Sequence, residues 1–284
     1  MNPIKGTIRS GVVHALGPRQ AEMIARRYDD VQSALRYRIE RSGRRSALEL
    51  DSLRDIHRGK RCFIIGNGPS LKTMDLSPLR NEVTFGLNRI YLLFDRLGFA
   101  TTFLVAVNEH VIAQCAGEIA AVQTEKKFVS WHARRYLRDA AGVTYLRSVS
   151  RPHFSVDPSA GIWEGATVTY AAMQLAYHMG FKEVLLIGVD HSFVAQGPPH
   201  TVVTSTGGDP NHFDPNYFGK GFRWQLPDLE TSEYAYRLAR DRFEADGRRI
   251  MNATVGGRLD VFPRADFTSL FPPTPSRDEA QAAS

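Results

Sequence analysis

From Arg61 onward the chain alternates short apolar runs with stretches of helical periodicity. Cys62–Ile65, Val83–Leu87 and Thr102–Val107 are such runs, and Lys127–Ser130 and Thr144–Leu146 are shorter candidates. The clearest unit is a helical stretch over Ala166–Met179, stopped by Gly180 and followed by the strand Glu183–Gly188, EVLLIG. Further helices are expected around Val111–Val122 and over Leu229–Glu244, the second ended by Asp246-Gly247, with Arg249–Ala253 as a last strand. Strands that are apolar throughout have no solvated face, so they belong in a sheet covered on both sides. Separated by helices, they run mostly parallel. The expected fold is α/β, a mostly parallel Rossmann-like sheet with helices on both faces.

Residues 1–58 read differently and are expected to form an N-terminal helical extension to the α/β domain over 59–271. Between Arg19 and Leu53 the chain is charged, with Ile24, Tyr28, Val31, Leu35 and Ile39 spaced by threes and fours. That spacing predicts one apolar stripe. The stripe is expected to pack on the main domain, with a break at Gly43; contact with a membrane or partner through a basic amphipathic helix is the alternative. Residues 194–228 are rich in Gly, Pro, His, Asp and Thr yet carry the aromatics Phe213, Tyr217, Phe218, Phe222 and Trp224. A loop this long is functional or disordered, and its aromatics favour a lid over a substrate. The tail 272–284, rich in Pro, Ser and Ala, is expected to fray.

Composition narrows the classes. Of 284 residues 43% are hydrophobic and 23% charged, which excludes general disorder. A net charge of +6 suits phosphorylated ligands or an anionic membrane surface. Nucleic acid is not expected, because the arginines of residues 26–45 lack an aromatic stacking platform. Cys62 and Cys115 have neither a disulfide framework nor zinc spacing. The opening MNPIKGTIRSGVVHALG lacks the apolar core of a signal peptide, and no run approaches the roughly 18 residues of a membrane span. A cytoplasmic protein is expected, with possible peripheral membrane contact through the basic helix. Nothing in the pattern bears on oligomeric state.

In parallel sheets ligands lie outside the carboxyl ends of the strands, so Gly66–Ser70, Asn88, Asn108 and Asp190 converge on one edge. The turn Gly66-Asn67-Gly68-Pro69-Ser70 is neither a dinucleotide fingerprint, which needs a glycine at Leu71, nor a P-loop. Gly66 and Gly68 allow backbone N–H groups to point inwards, Pro69 stiffens the turn, and Ser70 can cap or donate to an anion. Asn67 offers both a donor and an acceptor.

GNGPSL after a strand, Asn88 in GLN, and Thr167 ahead of Gly180-Phe181-Lys182 and Gly188-Val189-Asp190 form an ordered set. It resembles the bacterial sialyltransferases that use CMP-sialic acid. It also resembles the superfamily named after archaeal MptE-type 6-hydroxymethylpterin diphosphokinases, which includes flagellin glycosylation proteins. HFDPNYFGKG (His212–Gly221) and NATVGGRLDVFPR (Asn252–Arg264) are similar to C-terminal stretches of its bacterial members. The resemblance covers Leu53 to Phe271. It implies nucleotide contacts at Asn67 and Asn88, a phosphate near Thr167, and a nucleotide site lined by Gly188 and Asp190. Two positions depart from the sialyltransferase pattern: Ser192 stands where a tyrosine assists phosphate departure, and Glu230 where the catalytic histidine falls.

The candidate base is therefore His212, Glu230 or His191, with Asp214 and Tyr217 as lid residues facing the substrate. The implied function is a nucleotide-dependent transferase. The first form is a glycosyltransferase moving a CMP-type acidic sugar to a glycan or protein acceptor, with no cofactor. The alternative is diphosphate transfer from ATP to a pterin-like alcohol, with Mg²⁺ on Asp190 or Asp214. A nucleotide-binding module without catalysis is the third.

Overall fold

The computed structural model describes residues 17–271 apart from Asp139, Ala195 and Gln196. The tail expected to fray, 272–284, lies outside the described residues, as do residues 1–16 of the extension.

Seven strands form one parallel sheet: β1 (Arg61–Ile65), β2 (Thr84–Leu87), β3 (Phe103–Ala106), β4 (Lys126–Ser130), β5 (Val143–Leu146), β6 (Glu183–Ile187) and β9 (Arg249–Asn252). Their order is β5-β4-β3-β2-β1-β6-β9. Alternate side chains enter two cores. Cys62, Ile64, Phe85, Val105 and Leu186 face α5 (Val168–His178) and α6 (Leu229–Ala245). Phe63, Ile65, Leu104, Val129 and Ile187 lie under α4 (Glu109–Ala121) on the other side. This two-sided burial is why the strands read as unbroken apolar runs. Every residue of α5 from Thr169 to His178 is buried, as expected of a helix without a charged face. A short helix, α3 (Phe94–Leu97), precedes β3.

The N-terminal segment forms two helices, α1 (Pro18–Ile39) and α2 (Arg41–Ser52). The break falls at Glu40, whose backbone turns extended and whose carboxylate takes two bonds from Arg134, at 2.8 and 3.0 Å. Gly43 lies inside α2 and is required there for another reason: a Cβ would stand 2.0 Å from the Tyr37 carbonyl oxygen. The two helices satisfy the free edge of β5. The Tyr37 hydroxyl donates to the Tyr145 carbonyl at 2.8 Å, and the Tyr145 N–H donates to Ser46 Oγ at 2.9 Å. Covered this way, the edge offers no template to another strand.

The apolar stripe of α1 does not pack on the domain. Ile24, Tyr28, Val31, Leu35 and Ile39 are 45–69% exposed, while Ser33 and Tyr37 are buried and Asp30 accepts from Ser150. Docking is decided by hydrogen bonds to β5 and the loop after it, leaving the stripe outward.

Candidate functional site

The strand order reverses at β1, which pairs with β2 on one side and β6 on the other. Chains leaving β1 and β6 diverge here and open a crevice. The Gly66–Ser70 turn and Gly188–Asp190 follow the paired ends Ile65 and Ile187. The Gly66 N–H donates to the Ile187 carbonyl and the Gly68 N–H to the Gly188 carbonyl, both at 2.8 Å. A Cβ on Gly66 would stand 2.2 Å from the Gly188 oxygen, and one on Gly68 1.7 Å from Asp190 Oδ2. Gly68 has φ −67° and ψ 157°, open to any residue. Close approach of the two loops, not a special backbone angle, demands these glycines.

This changes the reading of the turn. Its glycine amides bond β6 and the loop after it, so neither is free to hold a phosphate. Ser70 donates through its N–H to Asp190 Oδ1 at 3.1 Å and through its hydroxyl to Oδ2 at 2.7 Å. Burial raises the Asp190 pKa, and the bonds from Ser70 oppose that rise. Asp190 lines the cleft, whereas Pro69 and Ser70 stand behind it as buttresses.

The cleft has a volume of about 540 Å³ and lies across the carboxyl ends of the strands. Asn67 and Asn88 both line it. Asn67 Nδ2 donates to the Leu87 carbonyl at 3.0 Å, which fixes the amide. Asn88 turns the chain after β2 with φ 48°, a left-handed conformation asparagine tolerates. The side-chain oxygens of both are buried without a partner. Each such acceptor costs about 1–3 kcal/mol until something donates to it. A ligand hydroxyl or amino group would do so.

Helix N-termini also meet the cleft. Thr167 caps α5, accepting from the Thr169 N–H at 3.3 Å, and its hydroxyl lies 3.2 Å from that of Tyr236. Asp228 caps α6 through the Thr231 N–H at 2.9 Å, and Asn108 caps α4 through His110 at 2.9 Å. All three caps line the cleft. Amides at such ends, with the helix dipole behind them, favour an anion.

Residues 194–228 are not a bare loop. They contain a hairpin of β7 (Val202–Thr204) and β8 (Arg223–Gln225), and Phe218 stacks on Phe222 and Trp224 at 4.9 and 5.2 Å. The segment is tied to the body: the Phe213 N–H donates to the Asn67 carbonyl at 2.9 Å, and Gln114 bonds the Arg223 backbone in both directions. Arg89, buried and ion-paired with Glu118 at 3.1 Å, donates to the Tyr217 carbonyl.

His212 lies in this segment and lines the cleft. Its Nδ1 is 2.7 Å from Asp209 Oδ2, and its ring stacks on Tyr217 at 3.9 Å and 9°. The side chains of His212 and Asp209 are only 12% and 4% exposed. Burial works to raise the Asp209 pKa, but the hydrogen bond and charge of His212 outweigh it and hold the carboxyl below its usual range. A proton on Nδ1, donated to the carboxylate, leaves Nε2 as an acceptor.

The other candidates separate. His191, with φ 52°, lines the cleft, and its Nε2 meets Glu233 Oε1 at 3.0 Å. Glu230 is exposed on the first turn of α6 and does not line the cleft; the α6 carboxylate that meets a cleft residue is Glu233, through His191. Asp214 also stands outside the lining, where it accepts from the Asn216 N–H at 2.7 Å in a local turn. Tyr217 lines the cleft and is nearly fully buried as the platform for His212.

Sequence reasoning missed Asp209 and Glu164. Asp209 stands three residues before His212, a spacing visible in DPNH. Glu164 lines the cleft with its pKa raised by burial, and only the bond from Ser148 opposes the rise. No local signal marks it. Among the described residues no three His, Cys, Asp or Glu side chains gather as a metal site, Asp190 is engaged by Ser70, and Asp214 by Asn216.

Fold and cleft thus define an α/β protein with a ligand crevice at the switch point of a parallel sheet. The sequence matches the family described as "6-hydroxymethylpterin diphosphokinase MptE-like" over residues 44–196, more than half of the chain, and the protein belongs to that family. The matched stretch holds the turn, Asn88, Thr167 and Asp190; Asp209, His212 and α6 lie beyond it. The structure is similar to that of the MAf glycosyltransferase from Magnetospirillum magneticum AMB-1, with a TM-score of 0.48 and 17% identity over 84% of this chain and 40% of that one. The chain therefore spans about two fifths of that protein's length. No curated protein matches the chain.

Proposed function

We propose that the protein is a nucleotide-dependent transferase, and specifically a glycosyltransferase that moves an acidic sugar from a CMP-type donor to a hydroxyl of a glycan or protein. The observation that carries this reading is the Asp209–His212 pair on the cleft, a histidine oriented by a carboxylate and held flat on Tyr217. In the proposed reaction His212 Nε2 takes the proton of the acceptor hydroxyl as its oxygen attacks the anomeric carbon. The bond from that carbon to the phosphate oxygen breaks, and the nucleoside monophosphate leaves with the electron pair. The N-terminus of α5 would stabilise its charge, while the unpartnered oxygens of Asn67 and Asn88 would accept from the nucleoside. The docked 194–228 segment would keep water from the donor.

The family's description supports a second reading, diphosphate transfer from ATP to a pterin-like alcohol, which relies on Mg²⁺ and positioning. Thermal shift with CMP, CDP, UDP, GDP and ATP, each with and without Mg²⁺, separates the two. The first reading expects a metal-independent preference for cytidine nucleotides that Asn67→Ala abolishes. A Mg²⁺-dependent response to ATP alone overturns it. His212→Ala should keep the shift but lower transfer or donor hydrolysis by about 10²–10⁴-fold, the range for a lost general base. Undiminished turnover would remove His212 from the mechanism.

A further inference from the structure

The outward stripe of α1 is one continuous apolar line. Helical rise makes it about 22 Å long from Ile24 to Ile39. Leu48 of α2 adds to the exposed apolar surface at 73% exposure. Contiguous exposed apolar surface of this kind marks an interaction site. The charges around it are segregated. Arg26 and Arg45 are paired, with Glu22 and Glu49. Arg27, Arg36, Arg38, Arg41 and Arg44 are exposed and have no acidic partner among the described residues. At 3.6 residues per turn, Arg27 and Arg38 fall beside the stripe, and Asp30 falls on the side that bonds Ser150.

A second cavity of about 430 Å³ opens where α1 and α2 meet the end of β5. Three arginines, Arg38, Arg44 and Arg147, line it together with Ala34 and Leu48. Burial works against protonation of Arg147, Asp30 and then Tyr37 favour it, and the charge of Arg38 is a smaller opposing effect. An anion in this cavity would meet the guanidinium groups of Arg38 and Arg44, which have no acidic partner among the described residues.

We infer that α1 and α2 dock the protein on an anionic phospholipid bilayer, the stripe entering the headgroup boundary and the Arg38–Arg44–Arg147 cavity receiving a lipid phosphate. Charge complementarity selects this occupant. Two copies paired along the stripe would bring Arg27 and Arg38 of both into one seam, whereas an anionic surface neutralises them. The helix lies on the membrane and does not cross it: among the described residues no helix is long and apolar enough to span. The inference stands independently of the reaction proposed above.

Co-sedimentation of the full chain with vesicles tests it, using phosphatidylcholine alone and phosphatidylcholine mixed with phosphatidylglycerol. The protein should bind the anionic vesicles and not the neutral ones, and salt should weaken binding. Leu35→Glu should abolish binding, while Arg38→Gln and Arg44→Gln should each lower the partition about five-fold. These side chains are exposed, so melting temperatures should hold and exclude misfolding as the cause. Absence of binding to the anionic vesicles, or full binding by Leu35→Glu, overturns the inference. So does a dimer that Leu35→Glu converts to monomer, because the stripe is then a self-interface.

Discussion

Replacing Gly68 with alanine tests how the turn is held. The new methyl would stand 1.7 Å from Asp190 Oδ2, 2.5 Å from its Cγ and 2.8 Å from the Gly188 carbonyl oxygen. The backbone angles at Gly68 suit alanine, so no conformational penalty enters. Relief requires the Asp190 carboxylate to swing away, which gives up both bonds from Ser70. Hydrogen bonds to charged groups are worth about 1.5–3 kcal/mol each, and a freed carboxylate regains some hydration. A net loss of roughly 3 kcal/mol follows, or about 6–12 °C in Tm for a chain of this size. The contact with the Gly188 oxygen is not relieved by rotation, so a smaller remainder comes from shifting the turn. Calorimetry on Gly68→Ala, Asp190→Ala and the double variant separates the two parts. With Asp190 truncated, the cost of the added methyl should fall to that remainder. If Gly68→Ala costs the same in both backgrounds, or under about 1 kcal/mol in the wild type, the turn is not held by Asp190 in the way described.

Two further outcomes follow from the packing. Gly117 lies inside α4, where a Cβ would meet nothing within 4 Å, so Gly117→Ala should stabilise the protein by about 1 kcal/mol and raise Tm in a thermal melt. His57 stacks on Phe181 at 4.8 Å with both ring nitrogens buried and unpartnered, and burial, then Lys60, lowers its pKa. The neutral ring is the folded form. Its contribution is complete above the unfolded value of about 6.5 and is lost as pH falls through that value towards the lower folded one. Wild type should therefore lose stability relative to His57→Phe as pH falls from 8 to 5, and a difference between the two that does not change with pH would contradict the assignment.

Much of the fold was legible because burial on two faces leaves a local mark. Cys62–Ile65 and Glu183–Gly188 needed no partner to be read as interior strands, and Thr167 with Gly180 bracketed α5 through turn and capping chemistry. The convergence of Gly66–Ser70, Asn88 and Asp190 was legible too, since parallel strands share one carboxyl edge. Residues 194–228 were readable as a distinct segment through their aromatics but not as a hairpin. Its two short strands pair across about twenty residues, and exposed positions in them carry no alternation.

Other features are long-range choices. Periodicity found the stripe of α1 and pointed it inwards; the polar edge of β5, with Tyr145 in need of partners for its backbone, took the Tyr37 side instead. Glycine spacing made the turn look like a phosphate cradle, until carbonyls of Ile187 and Gly188, some 120 residues away, took its amides. Glu230 and Asp214 were read as site residues while Asp209 was not, and only packing brought Asp209 to His212 and His212 to Tyr217. By itself the sequence determined which segments are strands and helices and where the strand ends gather, because transfer free energy and backbone preference belong to each residue. Which donor meets which acceptor was decided by the tertiary structure alone, because that depends on satisfying buried polar groups between segments far apart in the chain.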